Sequence, residues 1–233
     1  MDLERRWERC YRRYIGGKGY LALTPTTATL GRELTPAIEL YVSGRVLDAG
    51  AGALTYAFLL APRASEYLAI DIEVTDSRLA ARADVCRLPF ADASMDTIFC
   101  SQVLEHVTHP WEAMKEFARV LRPQGTLLLT VPHLAYLHGQ PHDYFRYTQY
   151  GLGRLAADAG MKVREMRPAG GFLCFLAEPF SVIFNALLGT VPGLSQPARF
   201  LNRLFVGLVS TVDKYVGLQS RYPVNWVAVF VKE

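Results

Sequence analysis

The sequence predicts an α/β fold: a mostly parallel sheet with helices on both faces, an antiparallel C-terminal strand, and an apolar helical insertion before that strand. Short apolar runs alternate with segments of helical periodicity, as expected when strands are buried on both faces. One run, Val46-Leu47-Asp48, leads into Gly50 and Gly52, the type of turn found where strands of open sheets end. The chain of 233 residues is long enough for one such domain.

The individual helices and strands are predicted from the spacing of apolar and aromatic residues and from the glycine or proline residues that end them. Aromatic residues at helical spacing predict an amphipathic helix over 4–14, and a glycine-rich loop follows it. A helix over 110–121 starts with proline and ends before Pro-Gln-Gly, and a helix over 148–159 ends at Gly160. Apolar runs predict strands at Arg45–Asp48, Tyr67–Asp71, Thr97–Ser101, Thr126–Val131, Met161–Met166 and Trp226–Val231.

An apolar insertion occupies 168–223. Its uncharged stretch Phe180–Ala198 reaches membrane-spanning length, but Pro192 and Pro197 interrupt it, so no transmembrane helix is expected. From Phe200 onward, apolar residues repeat with helical spacing. The simplest use of this apolar side is packing on the sheet or covering a substrate, with membrane-surface contact and dimerisation as alternatives. The predicted polar side consists of Asn202, Arg203, Ser210, Asp213 and Lys214.

Composition excludes several classes of protein. The net charge of +3 is too weak by itself to indicate nucleic-acid binding, which usually involves a clustered basic patch, so no nucleic-acid partner is expected. The four cysteines are scattered without paired spacing, which argues against a zinc site or a disulfide framework and favours reduced thiols. A charged N-terminus lacks the apolar core of a secretory signal, so we expect a cytoplasmic location.

Two carboxylates at strand ends favour a nucleoside ligand. Asp48 precedes the glycines of the first turn, and Asp71 ends the second strand about twenty residues later. A carboxylate in that place accepts hydrogen bonds from both hydroxyls of a ribose. Either acid alone is better explained as a turn or helix cap, so their order on successive strand ends carries the prediction.

From Arg45 to about Met166 the chain resembles the class I methyltransferases that use S-adenosylmethionine, particularly the group called methyltransferase type 11, which have a Rossmann-like fold. The resemblance implies that the loop of Asp48, Gly50 and Gly52 wraps the methionine part of the cofactor. Leu54 departs from the pattern, because many members have another glycine there. The matching segments are VLDAGAG, YLAID, ADV, SQVLEH and LRPQG.

The same resemblance assigns further cofactor contacts. Asp71 would bind the ribose, Asp84 the adenine amino group, and the backbone N–H of Val85 a ring nitrogen. Ser101, at the end of the predicted strand Thr97–Ser101, would border both cofactor and substrate. Two alternatives stay open: a nicotinamide-dependent oxidoreductase, whose G-x-G-x-x-G fingerprint lacks its last glycine here, and a non-catalytic module that binds S-adenosylmethionine.

The histidines mark the expected substrate side. His106 and His142 are candidate general bases for a hydroxyl acceptor, with Asp143 as the residue that orients a histidine. The segment around His142 is explained equally well as a structural loop anchor. No metal is expected, because His133, His138, His142 and Asp143 lack a recognised ligand spacing. All five histidines follow one of two predicted strands, Thr97–Ser101 or Thr126–Val131: His106, His109, His133, His138 and His142.

The sequence therefore predicts in-line methyl transfer to a small-molecule acceptor. The apolar insertion and the basic, aromatic-rich N-terminus favour a hydrophobic, lipid-linked or glycan-linked acceptor, with peripheral membrane contact through the insertion. No oligomeric state is predicted. We expect a single domain made of a helical cap (1–44), a cofactor-binding core (45–167), a helical insertion or lid (168–223) and a last strand (224–233).

Overall fold

A computed structural model describes residues 2–73 and 76–233. Apolar segments form the strands, and amphipathic segments form the helices between them. Within the described residues the strands are β1 (Gly44–Ala49), β2 (Ala64–Asp71), β3 (Ala81–Arg82), β4 (Met95–Ser101), β5 (Leu121–Pro132), β6 (Met161–Ala169) and β7 (Asn225–Lys232). The helices are α1 (Leu3–Tyr11), α2 (Pro25–Tyr41), α3 (Ala57–Leu60), α4 (Pro110–Val120), α5 (Gln149–Asp158), α6 (Phe172–Leu188) and α7 (Ser195–Val216).

The strands form one seven-stranded sheet in the order β3-β2-β1-β4-β5-β7-β6. Pairing is parallel from β3 through β5 and antiparallel at the C-terminal strands. The predicted Rossmann-like α/β class is confirmed. Strand β1 pairs with β2 on one side and β4 on the other, so the strand order reverses beside β1. Open α/β sheets bind ligands at such a switch point, beyond the carboxyl ends of the strands.

Burial explains the unbroken apolar runs. Residues 46–49 of β1 and 225–230 of β7 are all buried, as in strands covered on both faces. Boundaries differ from prediction where packing overrides local signals. Strand β5 already begins at Leu121, whose register partner is Met95, and α1 ends at Tyr11 rather than Tyr14. Helix α2 and the short strand β3 were not predicted individually.

Contacts divide the chain into two compact units. One consists of Met1–Glu33 and Pro168–Asn225, and the other of Leu34–Arg167 and Trp226–Glu233. The boundary at 167/168 coincides with the predicted start of the insertion. The prediction that all segments make a single domain stays a prediction.

The observed orientation of α7 is opposite to the predicted one. Its side chains Asn202, Ser210 and Asp213 were expected on the polar, outward side, but all three are buried. They are buried because they satisfy backbone groups and polar neighbours: Asp213 accepts hydrogen bonds from the N–H groups of Gly171 and Leu173 at the start of α6. The amide of Asn202 donates to the Leu23 carbonyl and accepts from the Ser181 hydroxyl.

The apolar side of α7 faces outward instead. Leu201, Leu204 and Leu208 are 56%, 56% and 65% exposed. Helix α6 packs against α7 and shows the same inversion, with buried Ser181 and exposed Phe180. Searched over the described residues, the chain contains no helix with the length and apolar character needed to cross a membrane.

Candidate functional site

The loop after β1 is tied to β2 by its own backbone. The N–H groups of Gly50 and Ala51 both donate to the Ile70 carbonyl, each at 2.9 Å. Gly50 has a φ of +80°, and a Cβ there would lie 2.3 Å from Cγ2 of Val103. Gly52 has a φ of +53°, and among the described residues, apart from its two chain neighbours, no atom lies within 4 Å of the Cβ position. Gly50 is therefore required by packing within the protein, whereas the described residues leave open space beside Gly52.

Asp71 borders that space at the end of β2. Its Oδ2 accepts a hydrogen bond from the Gly52 N–H at 2.8 Å, and its Oδ1 accepts from the Glu73 N–H at 3.0 Å. Each carboxylate oxygen has two lone pairs, so both keep capacity for a further donor. This arrangement fits a ribose diol beside the glycine loop, which is the contact predicted for Asp71.

Leu54 occupies the position at which the sequence departs from the glycine pattern. It has a φ of +58°, a conformation that glycine adopts without strain and leucine adopts at a cost. Its side chain is buried and packs in a small cluster with Ala51 and Ala69. Burial of the side chain offsets the backbone strain, so the turn keeps the shape that glycine would permit.

Asp48 lies beneath the loop. Its side chain is 2% exposed, and its Oδ2 accepts a 2.6 Å hydrogen bond from the Tyr67 hydroxyl. The pKa of Asp48 is raised to about 7, chiefly because the carboxyl is buried; the hydrogen bond from Tyr67 lowers the pKa, and the negative charge of Asp71 raises it. Among the predicted cofactor residues, Asp48 is thus buried and bonded to Tyr67 of β2, while Gly52 and Asp71 border the open space.

We expect the buried Asp48 carboxyl to make stability depend on pH. Its folded-state pKa exceeds the ordinary value of 3.8, so the folded chain binds this proton more tightly than the unfolded chain. The resulting stability is complete below about pH 4 and is lost as the pH rises through about 7. Urea unfolding between pH 5 and 8 should show a smaller decline in Asp48→Asn than in the wild type. Tyr67→Phe should move the decline to higher pH, and parallel curves for all three proteins would refute the assignment.

The remaining predicted cofactor residues lie at the ends of neighbouring elements. Asp84 is exposed, and its Oδ1 accepts from the Cys86 N–H at 2.8 Å, so it caps a turn in this structure. Val85 is buried. The Ser101 hydroxyl lies 2.7 Å from the hydroxyl of Thr130 on β5.

Among the predicted catalytic residues, Asp143 pairs with an arginine and not with the ring of His106 or His142. Both oxygens of Asp143 accept from the Arg146 guanidinium, at 2.6 and 2.7 Å, which holds the pKa of Asp143 well below its ordinary value. Asp143 also accepts from the His138 backbone N–H. Among the described residues it makes no hydrogen bond to the ring of His106 or His142. The Asp143–Arg146 pair therefore anchors the loop, which is the structural alternative weighed for this segment.

The histidines divide among separate partners. His142 is exposed, and its Nδ1 lies 2.8 Å from the Tyr144 hydroxyl. His133 Nδ1 donates to the Tyr147 carbonyl at 2.8 Å. Thr148 caps α5 by accepting from the Gly151 N–H. Of His133, His138, His142 and Asp143, the structure brings His138 close to Asp143, with Nδ1 3.8 Å from Oδ2, whereas the rings of His133 and His142 contact other groups.

Sequence reasoning overlooked Glu105. Its side chain is completely buried, and its Oε1 lies 3.8 Å from Nε2 of His106 and 3.7 Å from Nε2 of His138. Interaction with Glu105 raises the pKa of His138. The available signal was an acid directly after the buried Leu104 and before His106, but its partnership with His138 depends on the loop that returns after β5.

Part of the chain matches known proteins in sequence. Residues 47–129 match the family model described as a methyltransferase domain. An uncharacterized methyltransferase of Mycobacterium sp. strain JLS is 32% identical over 164 residues, which cover 66% of this chain and 64% of the relative. The chain thus spans less than two thirds of that relative's length.

Solved structures share the fold at lower sequence identity. The [4+2]-cyclase SpnF superposes with a TM-score of 0.59 at 17% identity, over 94% of this chain and 86% of the cyclase. Phosphoethanolamine N-methyltransferase 2 of Haemonchus contortus, solved with phosphomonomethylethanolamine and S-adenosylhomocysteine, has a TM-score of 0.55 at 18% identity, over 86% of this chain and 52% of the other. At these identities the likeness concerns the fold alone.

Proposed function

We propose that this chain, whose residues 47–129 match the methyltransferase domain model, transfers a methyl group from S-adenosylmethionine to a small acceptor. The observation that carries the proposal is the open space beside Gly52, bordered by the Asp71 carboxylate at the switch point of the sheet. A phosphorylated ribose would be repelled by Asp71, which disfavours phosphorylated nicotinamide cofactors. The residues present fit a nucleoside with a free ribose.

The chemistry divides between cofactor and protein. When bound, S-adenosylmethionine supplies a methyl group on a sulfonium, and the bond from sulfur to methyl breaks as the bond to the acceptor forms in line. The loop of Gly50 and Gly52 lets the backbone approach the cofactor, and Asp71 fixes its ribose. The protein's main contribution is to hold the two reactants close, aligned and away from water.

A hydroxyl acceptor also needs a residue that takes its proton. We propose His106 or His142 for this task, because the imidazole accepts a proton near neutral pH. His142 is exposed and hydrogen-bonded to Tyr144, so its ring is accessible. Replacing His142 with alanine should lower turnover and leave cofactor affinity unchanged. Unchanged turnover would remove His142 from the mechanism.

The decisive experiment uses deuteriomethyl-labelled S-adenosylmethionine. The purified chain is incubated with a cell extract, and mass spectrometry identifies any molecule that gains the labelled methyl group. Calorimetry with S-adenosylmethionine and NADH runs in parallel. Preference for NADH would support the oxidoreductase alternative, and tight S-adenosylmethionine binding without any labelled product would support the non-catalytic module.

The outward apolar faces of α6 and α7 support a hydrophobic acceptor at a lipid surface. A groove of about 480 Å³ lies between the two helices, lined by side chains that include Phe180, Ile183 and Leu201. Polar contacts such as Ser181–Asn202 join the helices, so their apolar side chains are left to face outward. An amphipathic helix with this arrangement suits the interface between lipid headgroups and acyl chains.

Charge on α7 favours an anionic surface. Its exposed charged residues, Arg203 and Lys214, are basic, whereas its one acid, Asp213, is buried as a cap of α6. Juxtaposed basic and apolar side chains bind membranes that contain anionic lipids. We therefore propose that the acceptor has a long apolar part and that α6 and α7 contact the membrane that carries it.

Vesicle co-sedimentation tests this contact. Leu208→Glu places a charge in the middle of the apolar face, so the fraction of protein that pellets with phosphatidylglycerol-containing vesicles should fall at least fivefold. The matched control is Leu40→Glu, because Leu40 on α2 is 67% exposed and Leu208 is 65% exposed. Equal pelleting of the two variants would contradict the proposal. A concentration-dependent dimer that Leu208→Glu dissociates, without vesicle binding, would identify the face as a protein interface.

A further inference from the structure

Glu105 is a buried carboxylate that has no hydrogen-bonded partner among the residues the structure describes. Its side chain has no exposed surface, and among the described residues neither carboxylate oxygen has a hydrogen bond. A carboxylate removed from water is costly unless a cation or donors compensate it. The two closest cationic candidates are ring nitrogens at 3.7 and 3.8 Å, which are beyond hydrogen-bond distance.

The two imidazoles nearby are oriented by backbone carbonyls. His106 Nδ1 lies 2.7 Å from the His142 carbonyl oxygen, and His138 Nδ1 lies 3.0 Å from the Tyr136 carbonyl oxygen. A carbonyl oxygen only accepts, so each Nδ1 must carry the hydrogen. In the neutral tautomers, the Nε2 atoms of both rings therefore carry lone pairs, and both lie near Oε1 of Glu105.

Oε1 of Glu105 and Nε2 of His106 and of His138 are therefore three electron-pair donors that lie close together. In these tautomers none of the three atoms carries a hydrogen to donate to another. One ligand atom each from Glu105, His106 and His138 lies within 4.8 Å of the others. Zinc–ligand distances of about 2.0–2.2 Å place tetrahedral ligand atoms about 3.4 Å apart, so the observed separations need only a small closure. Histidines that bind metals through Nε2 commonly donate Nδ1–H to a backbone carbonyl, as both do here.

We propose that Glu105, His106 and His138 bind one zinc ion, with a fourth coordination position open to solvent or to an oxygen of the acceptor. When Nε2 of His106 binds zinc it cannot also take a proton, so His142 is then the candidate base for methyl transfer. The His138 side chain is 42% exposed, so an ion can enter from that side. The loop geometry supports the set, because the Glu105 backbone carbonyl accepts from the N–H groups of Tyr144 and Phe145 and so fixes the two chain segments together. Two histidines and one carboxylate with an open position form a ligand set used by zinc enzymes.

Calorimetry of the full chain, stripped of metal by a chelator and titrated with zinc chloride, tests the site without cofactor. We expect one ion per chain in the wild type, and at least a 100-fold weaker affinity in both Glu105→Gln and His138→Ala. His109→Ala is the matched control, since His109 is a loop histidine whose Nδ1 contacts Thr108. It should bind zinc as the wild type does.

A second measurement identifies the ligands. Cobalt(II) in place of zinc should give the visible ligand-field bands of a four-coordinate site with nitrogen and oxygen ligands, and His138→Ala should lose them. His138 lies on a surface loop, so this variant stays informative if Glu105→Gln fails to fold by circular dichroism. Wild-type affinity in His138→Ala would overturn the proposal. Absence of zinc binding, with His138 titrating as a simple protonated partner of Glu105 by NMR, would also overturn it and leave the proposed methyl transfer untouched.

Discussion

Asp71→Asn should weaken S-adenosylmethionine binding at least 100-fold. The asparagine side chain keeps the size of the carboxylate but loses its charge and one of its two acceptor oxygens. Hydrogen bonds to charged groups each contribute roughly 1.5–3 kcal/mol, and each 1.4 kcal/mol corresponds to tenfold in affinity. Two ribose hydroxyls depend on this carboxylate in the proposed complex, so a large loss is expected by isothermal titration calorimetry.

Asp76→Asn is the matched control for that measurement. Asp76 follows Asp71 closely in sequence, but its carboxylate pairs with Arg78. Its replacement should leave cofactor affinity within about twofold of the wild type. Similar losses in both variants would show that local folding of the segment, rather than a ribose contact, is responsible.

Gly50→Ala should destabilise the chain far more than Gly52→Ala. Both glycines have a positive φ, which costs an alanine about 1–2 kcal/mol. Only at position 50 would the new Cβ also lie 2.3 Å from Val103, and such overpacking costs about 1–3 kcal/mol more. Urea unfolding should therefore give a loss of about 2–5 kcal/mol for Gly50→Ala and about 1–2 kcal/mol for Gly52→Ala.

The two variants also separate folding from ligand binding. Val103→Ala combined with Gly50→Ala should recover part of the lost stability, because the clash is removed while the backbone strain stays. Gly52→Ala fills the open space beside Asp71, so it should weaken cofactor binding despite its small effect on stability. Equal stability losses at the two positions, or unaltered cofactor affinity in Gly52→Ala, would contradict the assignment of the open space.

Local sequence patterns were sufficient to predict most of the sheet. Strands β1 and β4 are largely buried apolar runs, and β2 and β5 each contain such a run in their second half, which is the part that the pattern predicts. The glycine turn after β1 marks the edge at which a ligand is expected. Helix α4 was also predicted, because proline at its start and the Pro-Gln-Gly that follows act within the local chain. These features depend on neighbouring residues, which the sequence displays directly.

Other features depend on partners that are distant in sequence. The pattern of α7 predicted two sides correctly but not which side is buried, because Asp213 and Asn202 satisfy groups on other segments. The pattern around Asp143 likewise suggested a catalytic partner, whereas Arg146 binds both of its oxygens. A side chain's burial follows from the donors and acceptors that surround it, and the amino-acid spacing does not specify those.

By itself, the sequence determined the α/β class, the strand ends at which a cofactor is expected, and the resemblance to methyltransferases. Only the tertiary structure decided that Gly52 borders open space while Gly50 packs on Val103, and that Glu105 meets His106 and His138. The physical reason is that strands and turns are set by local propensity and apolar burial, whereas a site is set by long-range approach of side chains. That both carboxylate oxygens of Glu105 are buried without a hydrogen bond from any described residue can be recognised only in the folded chain.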